Sequence, residues 1–193
     1  MLYQALLADA KFHEQLLAFD RDLAAVRRAA GCPAADCGGV LHSANYRRKP
    51  RGRPAALGED HDRRFSFCCS VDGCRDRSTP PSLRFLGRKV YLAVIVTLIA
   101  AMRDGVTERR LGKLAATIGV DRRTVARWRG WWLESFAATP FWRAASANLM
   151  PPVDASRLPA TLLERFAGDA GEQLIAFLSF LGPITGGASM RAF

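Results

Sequence analysis

Five cysteines, at positions 32, 37, 68, 69 and 74, constrain this chain more than any other feature. Cys32/Cys37 and Cys69/Cys74 share the spacing C-x4-C and are separated by a 31-residue insert. Two short-spaced cysteine pairs joined by a long loop suit one Zn²⁺ held tetrahedrally by four thiolates. The residues around them agree with that chemistry. In GCPAADCGG (31–39), Pro33 fixes the backbone after the first ligand, and Gly38 and Gly39 allow a turn whose amide N–H groups point at sulfur. Gly73 has the same part before Cys74. Cys68 is the spare: on a strand it points away from Cys69. Symmetry of spacing favours Cys69 as the ligand, with Cys68 as the alternative. His42 is a chemically competent substitute for one thiolate but reads as an ordinary surface histidine.

Residues 31–80 are rich in Gly, Pro, Cys and Arg, with one strand-like patch, RFSFCC (64–69). With its cysteine pairs, residues 31 to about 77 resemble a zinc ribbon, departing from it in having four rather than two residues between paired cysteines. The resemblance implies a small β module around one structural zinc ion.

Charge is unevenly spread. Residues 47–89 hold 12 Lys/Arg against 5 Asp/Glu and residues 90–129 hold 8 against 3, whereas 1–46 and 130–193 are each net −1. A total of +10, all of it central, points to a polyanionic partner. The most concentrated stretch is RRKPRGRP (47–54), which has no core-forming side chain and two prolines that forbid a continuous helix. KPRGRP resembles the AT-hook, which lies along the minor groove of A·T-rich DNA. The resemblance implies that Arg51, Gly52 and Arg53 lie in the groove, Pro50 and Pro54 keep the chain extended, and Arg47, Arg48 and Lys49 flank it. The loop hangs between the two cysteine pairs, so zinc would anchor both of its ends.

LGKLAATIGVDRRTVARWRGWW (111–132) resembles the helix-turn-helix of DNA-binding proteins. Ala115 is the small residue where the second helix crosses, and Gly119 supplies the left-handed turn. Leu114, Ile118, Val120, Val125 and Trp128 fill the little core, and Asp121 caps the second helix. With those residues inward, Arg122, Arg123, Thr124, Arg127 and Arg129 face outward, on the part that such proteins lay in the major groove. Arg109, Arg110 and Lys113 on the preceding helix would lie near the phosphate backbone. Trp131 and Trp132 read as core or interface residues.

The remaining chain reads as helical. Leucines at helical spacing predict a helix over 2–29 that stops at Gly31. A buried helix is expected over 85–104, with shorter ones at 107–118 and 121–136. MPPVDASRLP (150–159) reads as a turn, followed by a helix that Pro159 starts and a last one over 171–181. The apolar face of 159–181 (Leu162, Leu163, Phe166, Leu174, Phe177, Leu178 and Phe180) packs against the N-terminal helix or, alternatively, docks a recombinase or a second copy of the chain. The expected fold is therefore mainly α with a small zinc-ribbon β module and a helix-turn-helix core. Its expected parts are an N-terminal amphipathic helix (1–30), the ribbon with its basic arm (31–80), the helix-turn-helix domain (81–137) and a helical interaction segment (138–193).

CPAADCGGVLHSANYRRKPRG, then FSFCCSVDGCRDRSTPPSLRFLGRKVYL, resembles small proteins encoded next to transposases or recombinases. That resemblance implies an accessory DNA-binding protein. A transposase's triad of acidic metal ligands on a mixed sheet has no room after the helix-turn-helix, and a tyrosine recombinase's Arg/His/Tyr set is missing. No catalysis is expected. The expected partners are duplex DNA and a transposase, a recombinase or a second copy, with no membrane and no small-molecule substrate. The longest apolar run, VYLAVIVTLIAAM, is 13 residues, too short to span a bilayer. With no signal-like N-terminus, the expected location is cytoplasmic and nucleoid-associated. A transcriptional regulator with the same parts and an RNA-binding or ribonucleoprotein assembly factor are the alternatives.

Overall fold

The computed structural model describes residues 2–48, 54, 56–86, 90–91, 107, 109, 112 and 121–186. Two helices open the chain, α1 (Leu2–Ala8) and α2 (Ala10–Ala29). The single helix expected over 2–29 is broken at Asp9. Its extended backbone (φ −84°, ψ 109°) lets the carboxylate accept the Lys11 N–H and cap α2. At the other end Gly31 has φ +71°, the left-handed turn a helix stop requires, and its N–H donates back to the Arg28 carbonyl. The buried stripe of α2 serves two cores. Phe12 and Leu16 join the large helical one, and Ala24 packs with Leu41 and Phe67 of the sheet.

The β module has strands β1 (Leu41–Ser43), β2 (Tyr46–Arg47), β3 (Arg63–Arg64), β4 (Phe67–Cys69) and β5 (Arg77–Ser78). β1, β4 and β5 form an antiparallel sheet in that order, and β2 pairs with β3. The registers are continuous: Leu41 faces Cys69, Ser43 faces Phe67, Tyr46 faces Arg64 and Arg47 faces Arg63. Between the two ladders, the Ala44 N–H donates to the Ser66 carbonyl and the Ser66 N–H to Asn45 Oδ1. Residues 41–47 and 63–69 therefore form one hairpin without a slip, and the loop containing the basic segment closes its far end.

The start of the helix expected over 85–104 is instead a second hairpin. β6 (Phe85–Leu86) pairs antiparallel with β7 (Val90–Tyr91). The sequence between the strands, Gly87-Arg88-Lys89, is a short polar turn signal with glycine, and the flanking Phe85, Val90 and Tyr91 are aromatic or β-branched residues that fit a pleated surface. Residues 92–106 lie outside the described residues.

α3 (Arg122–Gly130) is capped by Asp121, whose carboxylate accepts the Arg123 N–H at 2.7 Å. It continues as a π-helical turn over Trp131–Phe136, completing the helix expected at 121–136. α4 (Pro140–Ser146) was not anticipated; Thr139 caps it and Pro140 occupies its first turn. α5 (Ala160–Leu163) follows Pro159, and α6 (Ala170–Phe180) starts with a reciprocal capping box between Asp169 and Glu172. The apolar face of 159–181 is core. Leu162, Leu163, Leu174, Phe177 and Leu178 are buried with Phe12 and Leu16, and Phe166 and Phe180 pack half-buried against them. Trp132 is fully buried, its ring 4.6 Å from that of Phe136 and 6.0 Å from that of Phe177. The fold is mainly helical with a small β module.

A buried polar network joins the two regions. Asp20 on α2, 1% exposed, accepts from Ser82 Oγ (2.5 Å), the Leu83 N–H (2.7 Å) and Arg84 Nε (2.8 Å). The rest of the Arg84 guanidinium donates to the carbonyls of Asp60, His61 and Arg63. Arg64, also buried, donates to the carbonyls of Pro80, Pro81 and Thr185. Desolvation lowers the pKa of both arginines, and the charge of Asp20 opposes it.

Candidate metal centre and cationic surface

Cys32, Cys37, Cys69 and Cys74 converge, with all four sulfurs within 4.8 Å of one another. Cys37 and Cys69 are 3.5 Å apart and Cys32 and Cys74 3.7 Å. A tetrahedron with Zn–S bonds of about 2.3 Å has edges of about 3.8 Å, so the donor set is sized for that ion. Cys68 stands outside the cluster and points its thiol at the Arg75 carbonyl, 3.6 Å away. The symmetric choice, Cys69, is the member of the cluster. His42 is exposed and lies across the ladder from Cys68.

The two loops that carry these thiols have the same backbone design. The Cys32 N–H donates to the Gly39 carbonyl and the Cys37 N–H to the Ala34 carbonyl. At equivalent positions of the second loop, the Cys69 N–H donates to Asp76 and the Cys74 N–H to Val71. In each loop the residues either side of the second cysteine are left-handed: Asp36 (φ 58°) and Gly38 (φ 57°) in one, Gly73 (φ 91°) and Arg75 (φ 44°) in the other. Such turns aim amides at sulfur, and the Val71 N–H lies 3.4 Å from Cys69 Sγ. Gly39 has a separate, steric reason to be glycine. A Cβ there would sit 2.5 Å from Cys69 Sγ and 3.3 Å from Cys37 Sγ.

Electrostatics match a site built for a cation. The Ala34 N–H favours the Cys32 thiolate, but desolvation and the neighbouring thiols outweigh it and push Cys32 up to about 12. Cys37 is raised as well: the Gly39 N–H favours its thiolate, and the thiols of Cys69 and Cys74 outweigh that help. Cys69 is lowered, chiefly by the Val71 N–H. Four thiolates cannot crowd together unaided, because each new negative charge disfavours the next. A bound divalent cation removes that obstacle while the amides keep supporting charge on sulfur.

The residues expected to contact DNA are described in part. Arg47 is exposed on β2 and ion-paired with Glu59, and the Arg48 guanidinium stacks over the Tyr46 ring, 4.8 Å from its centroid. On α3, Val125 (0% exposed) and Trp128 (4%) face inward, while Arg123 and Arg127 are exposed and Thr124 and Arg129 half-buried. Arg122 lies in the first turn of α3. Arg109 is exposed. Lys49, Arg51, Gly52, Arg53, Arg110, Lys113 and the turn with Ala115 and Gly119 lie outside the described residues. Sequence reasoning missed Arg63, which faces Arg47 directly across the hairpin, and the Asp20–Arg84 network. Strand alternation from Cys69 gave no signal for the first, because it puts Arg63 on the side of Phe67 and Cys69, whereas Arg63 is exposed and Arg64 is buried. Nothing local signals the second. Among the described residues no helix is long and apolar enough to cross a membrane. No protein-family model, curated protein or solved structure matches the chain.

Proposed function

We propose that this chain is a non-catalytic, sequence-specific DNA-binding accessory protein of a transposase or recombinase system, with one structural zinc ion held by Cys32, Cys37, Cys69 and Cys74. The observation that carries the reading is the four-thiol cluster at the base of a hairpin whose far end is the most basic loop of the chain. When bound, zinc supplies a cross-link and neutralises the thiolate charge; it takes no part in a reaction. The chain's own residues do the binding. The stem puts Arg47, where the basic segment begins, about 20 Å from the thiol cluster, six residues of strand at roughly 3.3 Å each. Zinc in this reading fixes the root of the stem, and the arm at its tip contacts duplex DNA.

α3 supplies the second contact. Its inward Val125 and Trp128 and outward Arg123 and Arg127 suit the second helix of a helix-turn-helix, which reads base edges from the major groove. The arm from Arg47 to Arg53 takes the minor groove. Selection from random duplex DNA with zinc-loaded protein at near-physiological salt tests this. An enriched motif with an A·T-rich flank supports it, and the motif's symmetry separates a dimeric regulator from an asymmetric element-end binder. Retention without enrichment that vanishes as salt rises would reduce the chain to a phosphate-binding adaptor.

A further inference from the structure

The hairpin that carries the arm has a charge pattern that its own stability does not explain. Arg47 and Arg63 occupy directly opposed positions on β2 and β3, and both are exposed. Opposed side chains on neighbouring strands start about 4.5–5.5 Å apart, where like charges destabilise the pair. Glu59, in the turn just before β3, forms an ion pair with Arg47. Both partners are largely exposed, at 66% and 69%. Such a pair is weakly held and readily exchanged. No ion pair among the described residues reaches Arg63. Arg48 adds a third guanidinium, stacked on Tyr46 beside the same strand end.

We propose that Arg47 and Arg63 form a phosphate clamp at the end of the stem, whose occupant is the backbone of duplex DNA. In the free protein Glu59 occupies one arm of the clamp; on binding, a phosphate replaces it and is gripped from both strands. Guanidinium forks suit this because each presents two parallel N–H donors to a phosphate. The clamp sets the register of the arm on the duplex without reading sequence. This inference rests on the DNA-binding reading above and adds Arg63 and Glu59 to it.

The test is a salt titration of full-length, zinc-loaded protein on a short labelled duplex, followed by fluorescence anisotropy. Each phosphate contact contributes about 0.9 to the slope of log K against log salt. R63A should lower that slope by about 0.9 and weaken binding equally on all sequences, with zinc content unchanged and a thermal midpoint no lower than the wild type's. R63K should keep the slope, since the charge remains. E59Q should tighten binding a few-fold by releasing Arg47, and it carries the test even if R63A folds poorly. A wild-type slope in R63A, or unchanged affinity in E59Q, overturns the clamp. An R63A defect confined to structured RNA also overturns it, in favour of an RNA partner. Failure of the wild-type chain to bind duplex at any salt would instead bring down the DNA-binding reading, before any variant is compared.

Discussion

The β module and the helical region are held together by different physics. The helical region packs Trp132, Phe136, Leu174, Phe177 and Leu178 at full burial. Each such side chain contributes about 1.5–3 kcal/mol. The apolar cluster of the β module consists of Ala24, Leu41 and Phe67, one of them borrowed from α2, with Cys32 and Phe65 half-buried beside it. That is too little to offset roughly 1–2 kcal/mol of backbone entropy per ordered residue. The difference teaches why the thiol cluster is where it is. A metal ion held there would tie two loops and a sheet that apolar burial alone does not hold, leaving the exposed faces free to be cationic.

Metal removal should separate the two regions most sharply. Structural zinc contributes on the order of 10–16 kcal/mol at neutral pH in small modules. A strong chelator should therefore unfold residues 31–78 while the helical circular-dichroism signal survives. Because Cys32 is held up to about 12 and Cys37 is also raised, metal binding must displace protons. Apparent zinc affinity should rise with pH and fall in acid, as competition with a chromophoric chelator will report.

Removing Asp20 should damage both regions at once. D20A leaves Arg84 buried and unpaired, which costs about 3–5 kcal/mol. Both the zinc-dependent transition of the β module and the helical transition should shift down; an unmoved β-module transition in D20A would show that the network does not join the two regions. F177A should cost a similar 3–5 kcal/mol by opening a cavity, yet leave zinc stoichiometry unchanged. Zinc loss in F177A would mean that the regions are less separable than their packing implies. A smaller effect is expected from G39A. Its new Cβ crowds Cys69 Sγ, and disturbing such a supporting position lowers metal affinity about 10–100-fold. The smallest effect belongs to C68S, which should bind zinc like the wild type, since Cys68 lies outside the cluster.

What could be read from the chain was local. Equal spacing of the cysteine pairs picked Cys69 over Cys68, because loops of the same length fold the same way around a shared centre. Asp121 and Gly31 were legible as cap and stop because each acts on the backbone within a few residues. The inward set of α3 followed from helical period. Thr139-Pro140 carried an equally local start signal for α4 that went unread. The hairpin at 85–91 had a local signal too, Gly87-Arg88-Lys89 between short aromatic and β-branched pairs, which the long apolar run beginning at Val90 masked. The Asp20–Arg84 pair was illegible for a different reason: its partners are 64 residues apart, and only the tertiary fold makes one the counter-charge of the other. The continuous register of the stem was equally non-local, since it emerges only when both strands are aligned.

The most direct test of the account is zinc stoichiometry by native mass spectrometry on the wild type, C68S and C69S, paired with a far-ultraviolet spectrum of each. The account predicts one zinc per chain in the wild type and in C68S. C69S should hold none stably and should lose the sheet. A folded wild-type protein with an intact sheet and no metal, or a C69S variant that holds zinc as tightly as the wild type, would contradict it.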